Sequence, residues 1–179
     1  MRIVAGEAKG RRLRAPAGRE TRPTADRVRE ALFSILGSVE GLRVLDLFAG
    51  SGALGIEALS RGAARADFVD SDARALAAVR ANLDAVGRAH DAGVVRAEAL
   101  RYLTRAARAG EVFDLILLDP PYDAARGLAG ALAQRLPDVI SHETRIVTES
   151  DKRTPLLLDL PLERERTYGD TRIAVHRGV

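Results

Sequence analysis

Two stretches constrain the fold more than any other part of the chain: LRVLDLF (residues 42–48) and VFDLILLD (residues 112–119). Each is a nearly unbroken apolar run with an aspartate at or near its end. A strand with one wet face alternates apolar and polar residues; a strand covered on both faces does not. Runs of this kind belong in the middle of a parallel sheet flanked by helices. The surrounding pattern agrees. AGSGALGIEALSRG reads as turn and helix, ADFVD as strand, DARALAAVRANLDAVG as helix, GVVRAE as strand and ALRYLTRAARAG as helix. A helical stretch near 125–136 and the strand TRIVTES follow the second run. Alternation at this spacing predicts a Rossmann-like α/β fold with right-handed crossovers and helices on both faces. LERERTYGDTRIAVHR breaks it. Two β-like runs around Gly169-Asp170 predict a hairpin, and hence an antiparallel pair at one edge of the sheet.

The N-terminus differs. RIVAG, EAKG and RRLRAP are short β-like pieces punctuated by glycine, as expected of a small hairpin or arm. Residues 1–22 are read as this basic arm and 23–179 as one domain. RPTADRVREALFSILG then predicts a helix capped by Thr24 and closed by Gly37, with Val28, Ala31, Leu32 and Ile35 on its buried face. The net charge of +3 is unevenly spread. Residues 1–30 hold nine basic and four acidic side chains, so the rest of the chain is slightly acidic. A basic end suits a polyanion such as RNA, because neutralised phosphates release counterions; a merely solvated basic face is the alternative.

The chain has no cysteine, which removes disulfides, thiolate metal sites and cysteine nucleophiles. His90, His142 and His176 lack ligand spacing, so no metal is assigned. No run approaches the ~18 apolar residues of a membrane span, and residues 1–16 lack a signal-peptide core. A cytoplasmic monomer is the expectation.

In open α/β sheets ligands gather beyond the carboxyl ends of the strands. Three stretches lie there. In DLFAGSGALG (46–55), Gly50, Gly52 and Gly55 satisfy GxGxxG, which lets a ligand approach the backbone at a helix start; a tight turn alone would look the same. Asp70, twenty residues after Gly50, ends the second strand and can accept both hydroxyls of a ribose, while Asp72 is equally suited to capping the next helix. These features alone permit a nicotinamide dehydrogenase. Against it, Asp46 would repel a pyrophosphate but suits an ammonium or sulfonium ligand, and an antiparallel edge pair is foreign to the all-parallel dinucleotide order.

The third stretch is DPPY (119–122). Pro120 and Pro121 have no N–H and cannot continue a ladder, so they form a rigid extended turn. Asp119 and the Pro120 carbonyl are hydrogen-bond acceptors, and Tyr122 adds a stacking face worth roughly 1–3 kcal/mol per base. This set suits a planar base with an exocyclic amine. Such an amine is a weak nucleophile because its lone pair is delocalised; two acceptors pull its hydrogens out of plane and localise that pair for attack on a sulfonium methyl. An ordinary proline turn is the structural alternative.

With these residues in place, the chain resembles the class I S-adenosylmethionine-dependent methyltransferases. DLFAGSG is similar to their first motif, FVDSD to their acidic second-strand motif and DPPY to their amino-methyltransferase motif. AEAL (97–100) sits where that fold contacts the adenine, with Glu98 in place of the usual Asp. The resemblance implies S-adenosylmethionine bound by Asp46, Phe48, Ala49, Gly50, Ser51, Gly52, Asp70, Ser71, Asp72, Glu98 and Ala99, with Asp119, Pro120, Pro121 and Tyr122 at the reaction. RIVAGEAKGRRLRAP, RPTADRVREALFSIL and DLFAGSGALGIEALSRGA together resemble the RsmD family. That implies a seven-stranded sheet, and methylation of a guanine N2 in bacterial 16S ribosomal RNA, usually guanine 966, within the small ribosomal subunit. Lys9, Arg11, Arg12, Arg14, Arg22 and Arg27 would then grip RNA phosphates. Other readings stay open: a different amino acceptor, such as DNA adenine N6 or another RNA base, or a non-catalytic RNA-binding assembly protein on the same fold.

Overall fold

The computed structural model describes residues 1–16 and 26–179, and for residues 122–126 the backbone only. Seven strands form one sheet in the order β3-β2-β1-β4-β5-β7-β6. β1 (Arg43–Asp46), β2 (Arg65–Asp70), β3 (Ala92–Arg96), β4 (Leu115–Leu118) and β5 (Arg145–Asp151) are mutually parallel. β6 (Leu162–Tyr168) and β7 (Thr171–Arg177) form the hairpin around Gly169-Asp170, and β7 runs antiparallel to β5. The two apolar runs become β1 and β4, which are neighbours at the centre. The chain leaves β1 toward β2 on one side and returns to β4 on the other, so the crevice between their ends is the switch point where such sheets bind ligands.

Period-two alternation divides these strands between two cores. Val44, Leu117, Val147 and Ile173 face α1 (Asp26–Leu36), α2 (Ala53–Ser60) and α3 (Ala73–Val86). Leu45, Ile116 and Ile146 face α4 (Ala99–Arg108) and α5 (Tyr122–Arg135). The expected face of α1 is buried at Val28 and Leu32 and partly buried at Ile35. Gly37, with φ +70°, closes it by donating to Phe33 O; Thr24 lies outside the described residues. β6 is exposed at the sheet edge, where Glu163, Arg164, Glu165 and Arg166 discourage pairing with another chain.

The β-like pieces of the N-terminus form a narrow turn with a single bridge, Arg2 to Arg12. The turn packs on the domain through Ile3, Ala8 and Leu13, which are part of the α1–α3 core. Buried Glu57 of α2 accepts Val4 N at 2.8 Å and Ala5 N at 3.0 Å. Arg29, also fully buried, pairs with Glu57 at 3.3 Å and with Asp26 at 2.9 Å, and donates to Arg2 O. Arg29 counted toward the basic block in the sequence, but it is a structural cation. Gly6 sits so close to Ser60 O that no Cβ fits there.

Candidate active site

At the end of β1 the Asp46 carboxylate is only 2% exposed and accepts the Gly55 N–H at 3.0 Å. Burial pushes this carboxyl up to about 7; the Gly55 hydrogen bond pulls it down, and Asp70 nearby adds repulsion. The turn after β1 needs its glycines for different reasons. Gly52 has φ +78°, a left-handed conformation, and forms the N-cap of α2. A Cβ on Gly55 would collide with the Phe68 ring, so this glycine lets α2 pack on β2.

Asp70, at the end of β2, ties two loops together. One oxygen accepts Gly50 N at 2.9 Å and the other accepts Asp72 N at 2.9 Å. It is half-buried, and a carboxylate has about four acceptor positions, so capacity for ligand hydroxyls remains. Asp72 is the N-cap of α3, accepting Arg74 N at 2.9 Å. Ser71 is exposed between them, Phe48 and Ser51 are half-buried, and Ala49 is buried. Glu98 is the exposed N-cap residue of α4 without a capping side-chain bond, followed by buried Ala99, and Ala97 N binds Asp70 O at 3.1 Å. The β1, β2 and β3 loops therefore converge on one rim.

Asp119 follows β4 directly. It is partly buried, and enclosure together with the charges of Glu149 and Asp46 holds its carboxyl well above the usual carboxylate range. Pro120 is buried, and Pro121 stands at the N-cap of α5. The helix expected from about residue 125 starts at Tyr122, directly after Pro121, whose extended backbone ends the turn and whose missing N–H costs nothing at a helix start, where that group has no helical partner. The Tyr122 side chain lies outside the described residues, as does Arg22. Lys9, Arg11, Arg12, Arg14 and Arg27 are exposed, and among the described residues none of them forms an ion pair.

Three contributors were hidden in the sequence. Glu149 of β5 was read only as part of a strand. Glu57 was read only as part of a helix. Asn82 of α3 is buried; it accepts Arg14 N at 2.8 Å and donates to Arg14 O and Ser51 O, both at 2.9 Å. It joins the basic segment to the glycine loop. Glu57 and Asn82 bind the N-terminal segment across more than fifty residues, although Glu57 also pairs with Arg61 one helical turn on, and Glu149 meets Asp119 only through the sheet.

The solved structure of a Thermus thermophilus protein superposes with a TM-score of 0.85 at 32% identity, over 99% of each chain. An RNA methyltransferase from Salinibacter ruber, solved in complex with S-adenosyl-L-homocysteine, shares the fold at a TM-score of 0.66 and 17% identity, over 87% of this chain and 92% of that one. The sheet order and the antiparallel edge pair are those of a class I methyltransferase fold. The family described as conserved hypothetical protein 95 matches residues 1–177. The Bacillus subtilis (strain 168) protein YlbH is 41% identical over 99% of this chain and 98% of its own. Ribosomal RNA small subunit methyltransferase D of Escherichia coli (strain K12) is 38% identical over 94% of this chain and 85% of its own. The chain belongs to this family, the RsmD family of methyltransferases.

Proposed function

We propose that the protein transfers a methyl group from S-adenosylmethionine to the exocyclic N2 of a guanine in 16S ribosomal RNA within the small subunit, with guanine 966 as the target the family resemblance implies. The observation that carries this reading is the position of Asp119: it leads into Pro120 and Pro121 at the end of β4, next to β1 and the glycine loop. A methyl acceptor held there meets a methyl donor held over β1 and β2.

The residues present fit that methyl donor. Asp46 is a buried carboxylate with no cation beside it in the described structure, and its raised pKa would fall on meeting an ammonium. Asp70 keeps acceptor capacity for ribose hydroxyls, and Gly50 and Gly52 leave the loop open to close approach. When bound, the cofactor supplies a sulfonium-activated methyl group. Asp119 and the Pro120 carbonyl accept the two N2–H bonds and orient the amine lone pair toward the methyl carbon. As the N–C bond forms and the S–C bond breaks, the acidified N2–H proton can pass to Asp119. The exposed arginines of residues 11–14 hold phosphates and help offset the few kcal/mol that unstacking a base costs.

The test is transfer of labelled methyl from S-adenosylmethionine to unmodified small subunits, naked small-subunit RNA, duplex DNA and protein extract in parallel, with products digested to nucleosides. N2-methylguanosine, mainly from small subunits, is expected. Label in DNA or protein would replace the acceptor. No label with intact binding of the methyl donor would make this a docking protein.

A further inference from the structure

β4 and β5 run parallel, with Leu117 opposite Val147 and Leu118 opposite Thr148. One step further, Asp119 stands beside Glu149. Leu117 and Val147 point into the α1–α3 core, and the same alternation puts Asp119 and Glu149 on that side. Glu149 is 4% exposed, and its antiparallel partner on β7 is Ile173. The flanking side chains of this face, Leu117, Val147 and Ile173, are apolar, so packing alone would favour an apolar residue here. Instead the strand end carries a second acid next to the first, and burying like charges together is costly. Glu149 is engaged within the protein, and a carboxylate offers two oxygens and about four acceptor positions to share between that engagement and a ligand N–H.

The chemistry of the base gives two adjacent acids a use. This step rests on guanine N2 being the methyl acceptor. Of the RNA bases, only guanine has a ring N–H next to its exocyclic amine: N1–H stands beside N2. Adenine and cytosine place a ring-nitrogen lone pair in the corresponding position. Two neighbouring carboxylates match a donor–donor edge and repel a donor–acceptor edge. We propose that Glu149 is a specificity-determining residue that accepts the guanine N1–H while Asp119 accepts N2–H, so that the pair selects guanine over the other amine-bearing bases. A site built to hold an N–H discriminates strongly against analogues lacking it, because its acceptors are then left unpaired in a buried place.

The experiment uses small subunits reconstituted from RNA with either guanine or 2-aminopurine at the nucleotide that the wild-type enzyme labels. 2-Aminopurine keeps the 2-amine but has a lone pair at N1. Wild-type enzyme is expected to methylate guanine faster by on the order of 10²-fold or more. Glu149→Gln keeps the shape and can turn an amide N–H toward N1. It is expected to lose at least about tenfold on guanine, to gain on 2-aminopurine and so to shrink the preference, with melting temperature and binding of the methyl donor near wild type. Equal losses on both bases, or an unchanged rate on guanine, would overturn the assignment. If the variant does not fold, the wild-type comparison still decides: equal rates on the two bases would overturn it too. No label in guanine at all would sink the proposed function first; label in guanine with an unchanged preference would sink this inference alone.

Discussion

Two groups of buried charge lie on the same face of the sheet and are built on opposite principles. Around Glu57 every charge is answered: Arg29, Arg61 at 2.8 Å and the amides of Val4 and Ala5 surround one carboxylate. At the ends of β1, β4 and β5 the charges are alike. Burial with the charges of Glu149 and Asp46 raises Asp119, burial with Asp70 raises Asp46, and both carboxyls sit far above their ordinary range. The first arrangement holds the N-terminal turn in place. The second is stable only because the rest of the fold supports it, and strongly perturbed carboxyls of this kind cluster at functional sites.

The sharpest test of this contrast is Asp119→Ala. It should lower methyl transfer by roughly 10³-fold or more, while calorimetric titration shows S-adenosylmethionine still bound, because the proposed contact is to the methyl acceptor. Loss of that binding in a folded variant would merge the two roles. Next in size is Glu57→Ala. Removing Glu57 takes away the fully buried partner of Arg29, leaves that cation only Asp26 and Arg2 O, and strands the Val4 and Ala5 amides, so urea denaturation should show a loss of about 3–5 kcal/mol. A loss under about 1 kcal/mol would mean that the turn is not anchored there.

Asp46→Asn should have a smaller effect of the opposite sign. The folded carboxyl sits near 7, above the ordinary value of about 3.9, so its contribution to stability is fully present below about pH 4 and is lost as pH rises through about 7. Near pH 8 the charge opposes folding. The variant should therefore be more stable than the parent by about 1–3 kcal/mol at that pH and little different near pH 4. It should also bind S-adenosylmethionine more weakly. A variant less stable at every pH would show that the Gly55 hydrogen bond outweighs the charge. Mildest is the replacement of Arg11, Arg12 and Arg14 by glutamine. The slope of log affinity for RNA against log salt should flatten by about 2, near 0.7 for each single-strand phosphate that is no longer neutralised. An unchanged slope would move the RNA footprint elsewhere.

The contrast also explains what the sequence disclosed. β1 and β4 were legible because burial on both faces leaves an unbroken apolar run, and the β6–β7 hairpin because Gly169-Asp170 punctuates it. The places of the glycine loop, Asp70 and Asp119 at the strand ends were legible because a few consecutive residues mark each strand end and the turn after it. The answered cluster was not. Glu57, Arg29 and Asn82 differ from surface residues only in what the finished fold places against them. Arg29 even read as part of the basic face. Glu149 was missed for the same reason, since only the β4–β5 register sets it beside Asp119.

The anchoring of the N-terminal turn also bears on how the chain is made. Val4 and Ala5 are held by a residue more than fifty positions later, and Arg14 by one 68 positions later. During synthesis these segments emerge long before Glu57, Ser60 and Asn82 exist to receive them. The turn therefore waits, unanchored, until α2 and α3 have been translated and packed. Contacts across such spans cost chain entropy that no local contact repays, so a nascent chain stalled before α3 would have β1 and β2 made while its basic segment and its glycine loop were still unconnected.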